Sequence, residues 1–320
     1  MKSYSGKKTS VSFLIPAHNE EKMIGFALEP LTKLKAECPS IEILVGLDGC
    51  TDSTEKKVEA FKGVKIIKFT ERKGKHKVLN ELVKKARGEI CVVNDADWIF
   101  VAGKNDLNKM IKCFEDKSIG GLGDHYALSF APKMLQESNS ILFAGEAWNL
   151  LFITEYKNKF FTKEINGERF ADFEKASYPF FVHFFRKDSV GEATTLADDA
   201  ERFLQIERKG LKVKLLPFGS KPYFVPAYNS IDLKGILKQR SRGFIAQKQI
   251  REKYSPKNFP VRTSLSLFFY ALKNLPRVKK PKHILGVLLW WVLSGFSYID
   301  YAIRKRNLST EEGWRLGLSR

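Results

Sequence analysis

A chain of 320 residues, 43% of them hydrophobic, can build one large α/β domain with an appendage or two modest domains, and it is too apolar for global disorder. Its formal net charge of +19 leaves three partner classes: nucleic acid, an anionic membrane surface, or phosphorylated substrates. The cysteines Cys38, Cys50, Cys91 and Cys113 form no C-x-x-C pair and fit structural thiols in a reducing compartment.

The first half alternates strand and helix signals. The polar stretch Met1–Ser10 carries no signal-peptide pattern. Val11–Ile15 is a short apolar run closed by Pro16, as a buried strand requires. Asn19, Glu20 and Glu21 supply a cap and an acidic first turn for a helix running to about Ala36. Ile41–Leu47 is a second strand, followed by a turn over Asp48–Thr54 and a helix to about Phe61. Val64–Phe69 is a third strand. Val78, Leu79, Leu82, Val83 and Ala86 mark one helix face, and Glu89–Asn94 is a fourth strand. In the second half, Ile141–Tyr156 is helical, Ala200–Arg208 is a helix before Gly210, Lys212–Leu216 is a strand, and Ile231–Arg251 is a basic helix. The histidines His18, His76, His125, His183 and His283 show no metal-ligand spacing.

Such alternation predicts a mainly parallel sheet with helices on both faces. In these sheets ligands bind beyond the carboxyl ends of the strands. The first, second and fourth strands end in PAHNEE, DGCTD and DAD, so the unusual polar residues share one edge. Asp95 and Asp97, two residues apart on a chain leaving the sheet, can both reach one ligand. Mg2+ and Mn2+ take such oxygen donors and bridge them to diphosphate. A D-x-D alone is a weak signal and more often marks a solvated turn or a helix cap.

The ordered series of motifs resembles family 2 glycosyltransferases. Pro16-Ala17-His18-Asn19-Glu20-Glu21 is similar to the family's first nucleotide loop. Leu47-Asp48-Gly49-Cys50-Thr51-Asp52 is similar to D-D-G-S-T-D, with Leu47 and Cys50 as departures. Gly74-Lys75-His76-Lys77-Val78-Leu79-Asn80 resembles G-K-x-x-A-L-N, and Asp95-Ala96-Asp97 matches the D-x-D. Ala197-Asp198-Asp199 resembles T-E-D, with Gly210 following eleven residues after Asp199. Gln239-Arg240-Ser241-Arg242-Gly243 resembles Q-x-x-R-W, with glycine where the family has tryptophan.

The resemblance implies a GT-A fold and an inverting, nucleotide-sugar-dependent enzyme. It implies donor binding by Pro16, Ala17, Glu20, Asp48, Lys75, Asp95, Arg240 and Arg242, and a divalent cation, Mn2+ or Mg2+, on Asp97. Asp199 would be the general base, with Asp198 and Gln239 in support. A positioned carboxylate contributes roughly 10²–10⁴-fold to deprotonating an acceptor hydroxyl. Simple alternatives remain at each place. Asp198 and Asp199 could cap the helix at Ala200, Lys75 could belong to a solvated basic turn, and the arginines to a solvated or membrane-facing helix face. Gly243 cannot stack on a sugar as tryptophan would, and Phe244 and Trp148 are the nearby aromatic substitutes.

The expected organisation is a catalytic domain over residues 1–230, with a nucleotide-sugar half at about 1–100 and an acceptor half at about 101–230, then a helical C-terminal region, 231–320. Ile284–Ile303 is twenty residues with one charge, Asp300, long enough to span about 30 Å as a helix. Lys279, Lys280 and Lys282 precede it, and Arg304, Lys305 and Arg306 follow it. Charge on both flanks leaves a spanning helix, an interfacial helix, a hairpin with Leu265–Leu272 and a buried helix all open. The expectation is a membrane-associated enzyme with its catalytic domain on the cytoplasmic side. Its partners would be a nucleotide-diphosphate sugar and a saccharide or lipid-linked acceptor; the alternative acceptor is a polyprenyl phosphate. Nucleic acid is not expected as a partner, because acidic residues at the strand ends repel phosphate unless a metal intervenes. A nucleotidyltransferase would want a glycine-rich, arginine-bearing loop after the first strand, and PAHNEE has none.

Overall fold

Runs of consecutive buried residues build the centre of the molecule. β1 (Val11–Ala17) and β2 (Ile41–Asp48) are buried at every position, as strands covered on both faces must be. With β3 (Val64–Phe69) and β4 (Ile90–Val93) they form a parallel unit in the order β3-β2-β1-β4. The connecting helices are α1 (Ile24–Glu37), α2 (Thr54–Glu59) and α3 (Lys75–Lys85). Successive residues of β1 feed opposite layers: Phe13 and Ile15 join the core of Leu28 and Leu31 from α1, while Leu14 joins Val78 and Leu82 from α3.

The computed structural model describes residues 10–123, 138, 140–175, 181–216, 223–228, 230–254 and 262–304, with the backbone alone for 262–264 and 300–304. His125, Lys305 and Arg306 lie outside the described residues.

Beyond β4 the sheet becomes mixed. The chain adds β5 (Trp98–Phe100), α4 (Lys104–Cys113), β6 (Ile119–Gly123), α5 (Ile141–Phe160), β7 (Thr162–Ile165), β8 (Glu168–Ala171) and β9 (Val182–Arg186). α6 (Asp198–Arg208), β10 (Lys212–Leu215), β11 (Phe224–Pro226), α7 (Leu233–Tyr254), α8 (Arg262–Asn274) and α9 (Pro281–Arg304) follow. β9 runs antiparallel between β4 and β6, and the nine-stranded order is β3-β2-β1-β4-β9-β6-β10-β8-β7. β5 and β11 form a separate antiparallel ribbon over the D-x-D turn. The expected fold class, a mainly parallel mixed sheet flanked by helices with an apolar C-terminal helix, is what the chain adopts.

Two local expectations are corrected. The first helix begins at Ile24 rather than beside Asn19, and no acidic residue lies in its first turn. Asn19 takes φ 54°, and its side chain turns to Thr51 instead. The helix expected at Ala200 already begins at Asp198, so Asp198 and Asp199 lie in its first turn rather than at the cap, which is Ala197.

α9 is seated on α5 by a close glycine crossing. A Cβ at Gly145 would lie 2.2 Å from the Gly286 carbonyl oxygen, and one at Gly286 would lie 2.3 Å from that of Ile141. Backbone on both sides cannot yield as a side-chain tip could. Gly145→Ala or Gly286→Ala should therefore cost about 1–3 kcal/mol in denaturant unfolding. Gly243→Ala, mid-helix in α7 with nothing within 4 Å of its added Cβ, should stabilise by about 0.4–1 kcal/mol. Equal effects at the three positions would contradict the crossing.

Candidate active site

Three loops at the carboxyl edge of the parallel strands interlock. The Glu20 amide donates to Thr54 Oγ1 at 2.7 Å, and the Glu21 amide to Asp52 Oδ2 at 3.2 Å. Glu21 Oε2 in turn accepts from the Ser53 amide at 3.1 Å, and Asn19 Oδ1 from the Thr51 amide at 2.8 Å. Pro16 and Ala17 end β1 behind this joint, and the Ala17 carbonyl accepts from Cys50 Sγ at 3.6 Å. Asp48, 1% exposed, accepts the amides of Lys73 at 2.6 Å and Gly74 at 3.0 Å. Its carboxylate thus shapes the turn that delivers Lys75. Gly49 sits at φ 60°, where a Cβ would meet the Arg72 amide nitrogen at 2.6 Å, so the turn needs glycine on both counts.

Lys75, the first residue of α3, joins two segments far apart in sequence. Its ammonium lies 2.8 Å from Asp95 Oδ1, donates to Asp95 Oδ2 at 3.1 Å, and lies 3.2 Å from Asp198 Oδ1. Asp198 Oδ2 meets Arg202 one helical turn on, at 3.2 Å. The solvated-turn alternative for Lys75 therefore does not describe it. Burial disfavours the charge of Lys75, but Asp198 and Asp95 outweigh burial and raise its pKa above the ordinary lysine value. At Asp198 burial is likewise outweighed, by Lys75 and Arg202, and its pKa is lowered. Asp199 goes the other way: burial and the Asp198 charge raise its pKa, against the opposing pull of Lys75. Two adjacent carboxylates with pKa values driven apart are what a site needs to hold one as an anchor and one as a proton acceptor.

The D-x-D turn is built by a residue that sequence reasoning left inside a strand. Fully buried Asn94 donates its side-chain amide to the carbonyls of Asp95 at 2.8 Å and Trp98 at 2.9 Å. The Asp97 carbonyl accepts from the Ala227 amide at 2.8 Å, tying the turn to the end of β11. Asp95 Oδ1 is buried beside the Lys75 ammonium at 2.8 Å, and Asp97 is half-buried two residues on. These hard oxygen donors suit Mg2+ or Mn2+ with diphosphate completing the shell. Among the described residues no group of three His, Cys, Asp or Glu side chains forms a closed metal site.

The loop before Asp198 is held from three sides. Asn80 of the G-K-x-x-x-x-N segment exchanges hydrogen bonds with Ala193, at 2.9 and 2.8 Å. Buried Glu201 accepts the amides of Thr194 and Thr195, both at 2.8 Å. Gln249 of α7 accepts the Leu196 amide at 2.9 Å.

Arg240 is engaged elsewhere. Its guanidinium pairs with buried Glu146 of α5 at 3.0 and 3.3 Å and lies 4.4 Å over the Trp290 ring of α9. The Trp290 indole N–H also donates to Glu146. This joint of α5, α7 and α9 is separate from the Lys75 cluster in its contacts. Gln239 Oε1 and Arg242 Nε are buried on the same helix. The candidate aromatic substitutes turn to α9 as well: Phe244 packs edge-on to Tyr298 at 5.3 Å, and the Trp148 indole N–H donates to His283 at 3.4 Å.

Two buried bases near the cluster carry no sequence signal, because each looks ordinary in its element. Burial pushes the Lys157 ammonium on α5 down to about 7, with the charge of Asp199 pulling upward. It sits 5.0 Å over the Phe181 ring. Burial pushes His183 on β9 down to about 4; its Nδ1 lies 3.1 Å from the Val93 carbonyl, and its ring stacks on Phe224 at 4.4 Å.

The neighbouring aspartates should respond oppositely to neutralisation at pH 7. Asp198→Asn breaks a buried ion pair and should cost about 3 kcal/mol. Asp199 has a raised folded pKa, so its ionised form weakens the fold above that pKa, and Asp199→Asn should leave stability unchanged or raise it. Urea unfolding of both variants checks this, and equal losses would contradict the electrostatic assignment.

A search of curated proteins finds no match to this chain. The mannosyltransferase PcManGT from Pyrobaculum calidifontis, solved in complex with GDP-Man and Mn2+, is similar in structure with a TM-score of 0.54 at 17% identity, covering 91% of this chain and 87% of that one. TarS residues 1–349 from S. aureus match with a TM-score of 0.45 at 16% identity, covering 76% of this chain and 65% of that one. The first likeness establishes the fold. The sequence model for glycosyl transferase family 2 matches residues 12–173, which run from β1 past β8 and hold the interlocked loops, Lys75 and the D-x-D. The chain belongs to glycosyl transferase family 2.

Proposed function

We propose that this glycosyltransferase moves a sugar, with inversion, from a nucleotide-diphosphate donor to an acceptor hydroxyl, with Asp199 as general base. The observation that carries the reading is the Lys75 bridge, which gathers Asp95 and Asp198 at one edge of the sheet, beside Asp199 with its raised pKa. Pro16, Ala17, Glu20, Asp48 and Asp95 belong to the donor side, which spans residues 1–100 of a catalytic unit ending near residue 230. The complex of the Pyrobaculum mannosyltransferase with GDP-Man and Mn2+ supports this choice of donor class and cation.

Asp97, with Asp95 beside it, would hold Mn2+ or Mg2+. Such a cation neutralises the negative charge that develops on a leaving diphosphate. Lys75 keeps the neighbouring carboxylates ionised and aligned. Asp199 accepts the hydroxyl proton as that oxygen attacks the anomeric carbon. The bond to diphosphate breaks on the opposite face, and inversion follows from a single displacement. Buried, and repelled by Asp198, Asp199 is more basic than a solvated carboxylate and better matched to this task.

The reading includes attachment to an anionic membrane. Pro281–Ile299 has a mean hydropathy of 1.3, but one side of this helix packs on the protein through His283, Gly286, Val287 and Trp290. Leu285, Leu288, Val292, Phe296 and Ile299 are exposed and recur at helical spacing along the other side. A helix committed on one side and apolar on the other fits an interfacial position better than a lone span. The exposed apolar stripe favours an acceptor carried by lipid.

Asp199→Asn should lower transfer by about 10²–10⁴-fold while donor affinity stays near wild type. The rate of the wild-type enzyme should fall on acidification through a pKa above the ordinary carboxylate range, because the base works ionised. Near-normal turnover in the variant would overturn the role. Asp97→Asn should weaken Mn2+- or Mg2+-dependent donor binding, measured calorimetrically; unchanged metal dependence would show that Asp97 is not a ligand.

A further inference from the structure

Away from the carboxylate cluster, an open cavity of about 490 Å³ is lined by Glu155, Asn158, Lys159, Arg169, Tyr270 and Arg277, contributed by α5, β8, α8 and the 3₁₀ turn Leu275–Arg277. That is ample volume for a small ligand group. Glu155 holds Arg277 through two contacts, 2.6 and 2.7 Å, and balances one positive charge. Lys159 and Arg169 are exposed and leave the lining cationic. Asn158 is 7% exposed, yet both its amide nitrogen and its amide oxygen lack a hydrogen-bond partner among the described residues. A buried amide in that state is costly unless a ligand completes it. Beside the cavity, α8 follows Phe269 with Tyr270: Tyr270 lines the cavity, while Phe269 and Leu265 are 63% and 62% exposed.

We propose that this cavity binds the phosphodiester of an anionic phospholipid headgroup. Lys159 and Arg169 supply the charge, the Asn158 amide a hydrogen bond, and the exposed residues of α8 and α9 the surface along which the acyl chains lie. Arginine suits phosphate oxygens because its planar fork can present two donors at once. The inference rests on the membrane reading above and adds to it a defined headgroup site, independent of glycosyl transfer.

The test is co-sedimentation of the full chain with vesicles of phosphatidylcholine alone and of phosphatidylcholine mixed with phosphatidylglycerol. Wild type should prefer the anionic vesicles. The pair Lys159→Gln/Arg169→Gln, both exposed and so outside the packed core, should lose about tenfold or more, since each cation at an anionic surface is worth about fivefold. Lys56→Gln/Lys62→Gln removes the same charge near β3, at the opposite sheet edge from β8, and should change binding by less than about twofold. Asn158→Leu changes no charge and should also weaken the anionic preference, with its melting temperature read alongside to separate unfolding from loss of the site. Inorganic phosphate and glycerol 1-phosphate at matched concentration should not protect the protein in thermal melts. Equal losses in the two glutamine pairs would reduce the effect to net charge and overturn the site. Full protection by free phosphate, lost in Lys159→Gln/Arg169→Gln, would overturn the lipid source. Wild type that ignores both vesicle types would overturn the membrane reading and the site with it, leaving the transferase reading untouched.

Discussion

One buried ammonium decides whether the site can exist. Asp95, Asp198 and Asp199 come from segments about a hundred residues apart, and their carboxylates would repel one another in a poorly hydrated cleft. Lys75 lies within 3.2 Å of two of them. At that separation and an effective dielectric of about 20, each contact is worth roughly 5 kcal/mol before desolvation is subtracted. The direction of the shifts shows which effect wins: burial would release the proton from Lys75, yet its pKa rises, so attraction exceeds desolvation. Asp199 lacks a comparable partner, and there burial and repulsion prevail. The same cation therefore anchors one carboxylate and leaves its neighbour basic.

The rest of the edge is arranged around delivering that cation. Asp48 is spent on the amides of Lys73 and Gly74, which start α3 with Lys75 pointing into the cleft. Asn94 aims the D-x-D turn, while Asn80, Glu201 and Gln249 hold the loop that ends at Asp198. Polar residues of these motifs thus serve mostly to hold backbone, and few side chains are left to meet a substrate. Glu146 ties α5, α7 and α9 together through Arg240 and Trp290. A buried charge pair of this kind contributes geometric definition more than net stability, and it fixes the apolar C-terminal helix to the catalytic unit along one side.

Much of this was legible in the sequence for a physical reason. Strands covered on both faces must be continuously apolar, so β1, β2 and β4 announced themselves, and the polar residues at their ends had to share one edge. Strand β9, inserted antiparallel between β4 and β6, was not legible, because Val182–Arg186 reads like any short apolar run and its partners lie far away in sequence. The fate of Arg240 was hidden for a similar reason: its partners Glu146 and Trp290 sit in two apolar helices whose patterns say nothing of a shared polar contact. Lys157 and His183 escaped notice because burial, which gives them their low pKa values, is a property of the folded chain. Asn19 shows the opposite failure. It carried a plausible helix-cap signal, but its pairing with Thr51 proved the stronger use of the side chain.

The central claim is that the carboxylates gathered by Lys75 form a cation-assisted nucleotide-sugar site. Thermal melting of the purified chain against a panel of nucleotide-diphosphate sugars, with and without Mn2+, tests it most directly. The account predicts that at least one nucleotide sugar raises the melting temperature only when Mn2+ is present, and that Asp95→Asn abolishes the rise. A chain that no nucleotide sugar protects, with or without the cation, would contradict it.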